Sequence, residues 1–138
     1  MGTLDDPATI RRLLTTPGTW AVVGLSANRA RAAYGVSAYL QDLGHRIVPV
    51  HPRAETVHGA DGVRTLAEVG TPVDVVDVFV NSALAGAVVD QAVAVGARAV
   101  WLQLGVVDTA AADRALAAGL DVVMDTCPAI EGRRLGLG

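Results

Sequence analysis

Between Gly24 and Tyr34 the chain reads GLSANRARAAY, which gathers a glycine, a hydroxyl (Ser26), an amide (Asn28) and two guanidinium groups (Arg29 and Arg31) into one short polar stretch. The apolar run Trp20 to Val23 stops at Gly24, and a helical pattern begins near Tyr34. A helix N-terminus carries unpaired N–H groups and a partial positive charge, so an anion there is stabilised before any side chain is counted. Arg31 stands just ahead of the helix start and can add a charge-assisted fork, with Arg29 as a second candidate. The chemistry these residue types suit is phosphate binding. Ser26 is expected to hydrogen-bond a phosphate or cap the turn, because G-L-S-A-N is not the G-x-S-x-G nucleophile elbow and no base is assigned to it. Tyr34 is placed either to reach a ligand through its hydroxyl or to pack.

The remaining reactive side chains are scattered. His51 and His58 lie in a proline-containing loop and would need further ligands to hold a metal, so none is expected. His51 is expected at the rim of a ligand site, and His45 exposed beside a turn. The single cysteine, Cys127, excludes an internal disulfide and a cysteine-based zinc site, and reads as a small buried residue. Asp74 and Asp77 fall at odd spacing in one strand and face opposite sides, so they are not a paired-carboxylate site. Trp20 and Trp101 sit in strands and read as core.

These residues need a frame, and the chain alternates strand and helix signals throughout. Asp5, Asp6 and Pro7 start a short N-terminal helix over residues 1–16, with Ile10, Leu13 and Leu14 as its apolar face. After strand one, Val36, Tyr39, Leu40 and Leu43 form a helical stripe that stops at Gly44. Strand two is Arg46 to Val50, and one or two helical turns follow near Leu66. Strand three is Asp74 to Val80, and Ser82 is expected to cap the next helix, whose stripe is Leu84, Val88, Ala92 and Val95. Ala99 to Leu104 is strand four, a helix follows Asp108, and Leu120 to Met124 is strand five. Glu131, Arg133 and Arg134 lie in a charged tail, residues 126–138, expected to be a solvated end folding back on the domain.

Strands apolar on both faces, alternating with helices, predict a single α/β domain over residues 1–138. Its architecture is a Rossmann-like, doubly wound parallel sheet of five strands with helices on both faces, in the expected order 3-2-1-4-5. Ligands of such sheets sit outside the C-terminal strand ends, near the point where strand order reverses. That rule selects Gly24 to Arg31, His51 to Arg53, Phe79 to Ser82 and Gln103 to Val106.

Composition narrows the partners. A net charge of −3 argues against sequence-independent nucleic-acid binding. No apolar run reaches the roughly 18 residues of a membrane span, the N-terminus lacks the pattern of a signal peptide, and a reducing cytoplasm is the expected setting. The NAD fingerprint G-x-G-x-x-G fails, because Ser26 and Arg29 stand at its second and third glycines and His51 replaces the acidic ribose ligand. His51 and Arg53 suit a phosphate on the ribose instead, which keeps both NADP and coenzyme A (CoA) open.

The segments VVGLS, RAAYGVSAYL, IVPVHP, VDVVDVF, WLQLGV and GLDVVMDTC occur in order over roughly residues 15 to 135. Together they resemble the family of small stand-alone CoA-binding proteins, which is similar to the N-terminal domain of the succinate-CoA ligase alpha subunit. The resemblance implies that Gly24, Leu25 and Ser26 form the phosphate turn, that Arg31 is the basic residue before the helix, and that Pro52 and Arg53 flank the phosphoadenosine. It places Val80, Asn81 and Ser82 along the pocket, and Gln103 and Gly105 beside the pantetheine arm. Two positions depart from the family pattern: Ala33 stands where relatives often have Ser, and VFVNSALA replaces a Phe-Arg and proline pattern after strand three. The ligase's phosphorylated histidine belongs to a second domain outside the matched segments, so no ligase activity is expected. The expected function is non-catalytic binding of CoA or an acyl-CoA. An NADP-binding reductase or nucleotide sensor, or a ligand-free interaction subunit, is the alternative, and a protein partner or homo-oligomer is left open.

Overall fold

Trp20, Ala21 and Val22 have no solvent exposure, because their strand is covered on both faces and both edges. In the computed structural model, which describes residues 1–138, β1 (Thr19–Val23) lies between β2 (Arg46–Val50) and β3 (Val75–Val78). β4 (Ala99–Leu102) and β5 (Asp121–Val123) complete an all-parallel sheet ordered β2-β1-β3-β4-β5. Helices α1 (Pro7–Thr15), α2 (Ala32–Asp42) and α5 (Pro128–Arg134) cover one face around Trp20, Val22 and Trp101. Helices α3 (Ser82–Ala94) and α4 (Thr109–Ala117) cover the other around Ala21, Val76 and Val100, with a short 3-10 helix at Leu66–Val69. No helix is long and apolar enough to cross a membrane. The expected doubly wound α/β class is the observed one.

The lateral order corrects the expected 3-2-1-4-5. There β2 would be an interior strand, yet Pro49 has no N–H to give a second neighbour. Its carbonyl points outward and accepts the Val63 N–H at 2.9 Å, so its nitrogen also faces away from β1. β2 is therefore the edge, and β3 pairs with β1. Alternation of strands and helices defines the layers; the donor missing at Pro49 decides the order.

Local chemistry sets the helix ends. Asp6 accepts the Thr9 N–H at 2.9 Å with Pro7 at the first helical position, and Asp108 accepts the Ala111 N–H at 3.0 Å. The cap of α3 is Asn81, whose Oδ1 accepts the Leu84 N–H at 3.2 Å, and not Ser82 as expected; Ser82 lies inside the helix and ties it to the β4 loop. The charged C-terminal stretch forms the helix α5, which packs on the domain through Pro128, Ala129 and Gly132 while Arg133 and Arg134 stay exposed. Arg133 lies 5.0 Å from the centroid of the Tyr39 ring, and Gly132 lets α5 meet the Tyr39 hydroxyl where a Cβ would collide.

His45 is buried, not exposed. Its Nδ1 accepts the Gly18 N–H at 3.2 Å, so the proton of the neutral ring sits on Nε2, which donates to the Leu14 carbonyl at 2.9 Å. The ring thus joins the end of α1, the start of β1 and the turn into β2. Burial lowers its pKa, against smaller raising effects from the Leu14 carbonyl and Asp74. Asp77, in the middle of β3 between Val22 and Trp101, is fully buried with neither carboxyl oxygen hydrogen-bonded, and burial pushes its pKa well up.

The two groups act on stability with opposite signs. Folded His45 resists a proton that the unfolded chain takes up below about pH 6.5, so stability falls as pH drops through that value. Folded Asp77 keeps a proton that the unfolded chain loses above about pH 4, so its contribution falls as pH rises from there. Melting curves of His45→Asn will show a lower Tm at pH 7 and a shallower loss between pH 7 and pH 5 than the parent. For Asp77→Asn, the Tm difference from the parent will move in favour of the variant between pH 4 and pH 7. Gly132→Ala will cost about 1–3 kcal/mol by overpacking against Tyr39, read by urea denaturation.

Candidate functional site

β1 ends at Gly24, which holds a left-handed backbone, φ +99°. A Cβ there would stand 3.3 Å from the Cβ of Phe79 at the tip of β3, so residue 24 is limited both in conformation and in space. From this point α2 leaves on one face and α3 on the other, and between them opens a cavity of about 580 Å³. It lies at the C-terminal strand ends, where doubly wound sheets hold ligands.

The loop from Gly24 to Arg31 is shaped by its own short polar groups. Ser26 Oγ accepts the Asn28 N–H at 3.3 Å and Asn28 Oδ1 accepts the Ala30 N–H at 3.0 Å. Glu55 reaches over from beyond β2 to accept the Ala27 N–H at 3.4 Å. The loop delivers Arg31 to the N-cap position of α2, where no side chain caps the helix, so the helix end keeps its appetite for an outside anion.

The cavity brings together Gly24, Arg31, His51, Pro52, Val80, Asn81 and Gly105 from the sequence-derived set. His51 Nδ1 accepts the Arg53 N–H at 3.2 Å, leaving Nε2 as the donor of the neutral ring. Gly105 is held by Asp125, whose Oδ1 accepts its N–H at 2.7 Å, and Ser82 Oγ accepts the Val107 N–H at 3.0 Å in the same turn.

Others of that set stand apart from the cavity wall. Leu25 is fully buried in the core beneath α2, and Ser26 is held in the loop turn. Arg29 lies 5.9 Å from the centroid of the Tyr34 ring, and that ring packs on His58 with centroids 4.3 Å apart. Arg53 is exposed outside the wall. Gln103 lines a smaller crevice of about 170 Å³ that shares Gly24, Arg31, Phe79, Leu104 and Val106 with the main cavity. It is buried, and its Oε1 has no hydrogen-bond partner in the protein.

Besides Val23 and Val50 at the strand ends, four wall residues carried no site signal in the sequence: Arg64, Thr65, Leu84 and Gln91. Leu84 belongs by spacing to the apolar stripe of α3, yet it is 57% exposed, an apolar side chain at the cavity instead of in the core. Arg64 and Thr65 come from the connection after β2, which the edge position of that strand swings over the site. The lining residues contain two arginines and no carboxylate, although the chain has 14 acidic residues against 11 basic. Neither Arg31 nor Arg64 has an ion pair; the four salt bridges use Arg12, Arg98, Arg114 and Arg134. Chemically the site is an open groove with cationic and N–H donors on its lining and apolar lips at Leu84 and Leu104. No three His, Cys, Asp or Glu side chains come together to hold a metal.

Comparison with known proteins agrees with this geometry. Residues 18–133 match the model of a CoA binding domain. The uncharacterized protein YneT of Bacillus subtilis (strain 168) is 34% identical over 120 residues, 87% of this chain and 89% of that protein. Among solved structures, a hypothetical protein from Pyrococcus horikoshii OT3 superposes with a TM-score of 0.88 at 35% identity, covering 95% of this chain and 92% of the other. A Thermus thermophilus structure, cell-free ID.343, gives 0.86 at 31% identity, with 94% and 98% covered. With the family model spanning all five strands and the loop at Gly24, the chain belongs to the CoA binding domain family.

Proposed function

We propose that this chain binds CoA or an acyl-CoA at the strand-end cavity and performs no catalysis on its own. The observation that carries the proposal is the charge of the wall: two unpaired arginines and no carboxylate in a chain of net charge −3. Such a wall selects a polyanion of about this size. The diphosphate would lie over Gly24 and the uncapped start of α2, with Arg31 as its charged partner. The close approach of Gly24 to Phe79 fits the group, since a Cβ there would crowd Phe79 and Val80 on the cavity wall. CoA supplies the thiol chemistry; these residues hold and orient it.

The absence of catalysis rests on pairing. Ser26, the nucleophile nearest the loop, accepts an N–H from Asn28 and has no histidine or carboxylate bonded to it. His51 is the histidine on the wall, and its Nδ1 is already engaged by the Arg53 N–H.

In a thermal melt, CoA at a hundredfold excess over its Kd will stabilise the chain by about 2.7 kcal/mol. Arg31→Ala will weaken CoA binding by about 1.5–3 kcal/mol in calorimetry, as for one hydrogen bond to a charged group. The parent's affinity will fall as salt is raised, because the site is open to solvent. A titration in which NADPH binds and CoA does not would overturn the proposal in favour of a nicotinamide cofactor, and binding of neither would favour a ligand-free interaction role.

A further inference from the structure

The cation expected to read the ribose phosphate at the end of β2 was Arg53, yet the fold puts a different arginine on the cavity wall. Val63 forms a bridge on the free edge of β2: His51 N–H donates to the Val63 carbonyl at 3.0 Å, and Val63 N–H donates to the Pro49 carbonyl at 2.9 Å. The chain then bends through Arg64 and Thr65, the latter at φ −137° and ψ 159°, before buried Leu66 opens the 3-10 helix. Arg64 is thus held between two anchors, beside His51 and on the wall, with no acidic partner. Arg53 follows the turn past the end of β2 and does not line the cavity, whereas Arg64, equally exposed, does.

From this arrangement we infer that Arg64 is the specificity residue for a phosphate on the ribose of the bound nucleotide, assisted by the Nε2–H of His51. The inference rests on the CoA reading and adds to it the group that separates CoA from its analogue without the ribose phosphate. Two cations on one wall divide the anion between them. Arg31, at the start of α2, serves the diphosphate common to both compounds, and Arg64, at the edge of β2, serves the ribose phosphate that only one carries. It also supplies a positive charge where VFVNSALA departs from the family's arginine after β3.

The test is calorimetry of CoA and of dephospho-CoA, which lacks the ribose 3′-phosphate, against the parent, Arg64→Gln, Arg64→Lys, Arg53→Gln and Arg31→Ala, each checked by its melting curve. The parent is expected to prefer CoA, and Arg64→Gln to lose about tenfold or more of that preference by weakening CoA alone, in line with a hydrogen bond to a charged group. Arg64→Lys will keep part of the preference, Arg53→Gln all of it, and Arg31→Ala will weaken both compounds alike. A preference that survives in Arg64→Gln, or one that vanishes in Arg53→Gln, overturns the inference while leaving CoA binding intact. So does a parent that binds both compounds equally. If the parent binds neither, the CoA reading itself falls.

Discussion

β1 and β3 run paired from Trp20 and Val75 to Val23 and Val78, and at the next residue the two chains still nearly touch: a Cβ on Gly24 would lie 3.3 Å from that of Phe79. Beyond this contact they must part, because the helices that follow lie on opposite faces of the sheet. The gap that results is the cavity, so the site is a product of strand order before any polar side chain is considered. Gly24 is the residue on which both demands fall. Its φ of +99° turns the backbone toward α2, and the missing side chain lets the tips of β1 and β3 stay close. A larger residue would strain the turn and wedge the tips of the two central strands apart.

Charge is arranged around that gap by position and not by amount. The chain is acidic overall, but its carboxylates are used elsewhere. Asp6 and Asp108 cap helices, Asp74 accepts the Thr19 N–H at 2.7 Å, and Asp90 and Asp121 pair with Arg114 and Arg12. Asp125 comes near the site, but its oxygen is taken by the Gly105 N–H. Asp77 is buried within the sheet, where burial pushes its pKa up. What remains facing the cavity is positive, so local potential and net charge have opposite signs.

The layers of the fold were legible because their signals are local: β-branched runs, helical stripes, and caps such as Asp6 and Asp108. Strand order was not, since it depends on which edges are free. One residue carried the clue, as Pro49 cannot donate to a second neighbour, and reading it as an edge marker would have placed β3 beside β1. His45 and Asp77 show the limit of reading polarity as exposure. Each is buried: one because two backbone groups complete its hydrogen bonds, the other with no partner and a pKa raised by burial. The site was half legible for the same reason. The glycine, the loop and Arg31 are contiguous in sequence, whereas Arg64 arrives through a bridge to a strand edge.

That bridge bears on how binding and folding are linked. The segment between β2 and β3 contains only one short 3-10 helix, and it is fastened by scattered contacts: the Val63 bridge, the Val57–Ala60 bridge, and His58 Nε2 against the Tyr34 carbonyl at 2.7 Å. The Tyr34 contact fastens it to the first turn of α2, and the Val63 bridge to the edge of β2. A ligand with anionic groups at both places spans the same two elements that the protein itself joins weakly. Filling the cavity therefore adds a further tie between the loop after β1 and the connection after β2, in a region with few helix or ladder bonds of its own. Stabilisation by ligand should concentrate there, because an anion neutralises two arginines of the cavity lining that have no acidic partner.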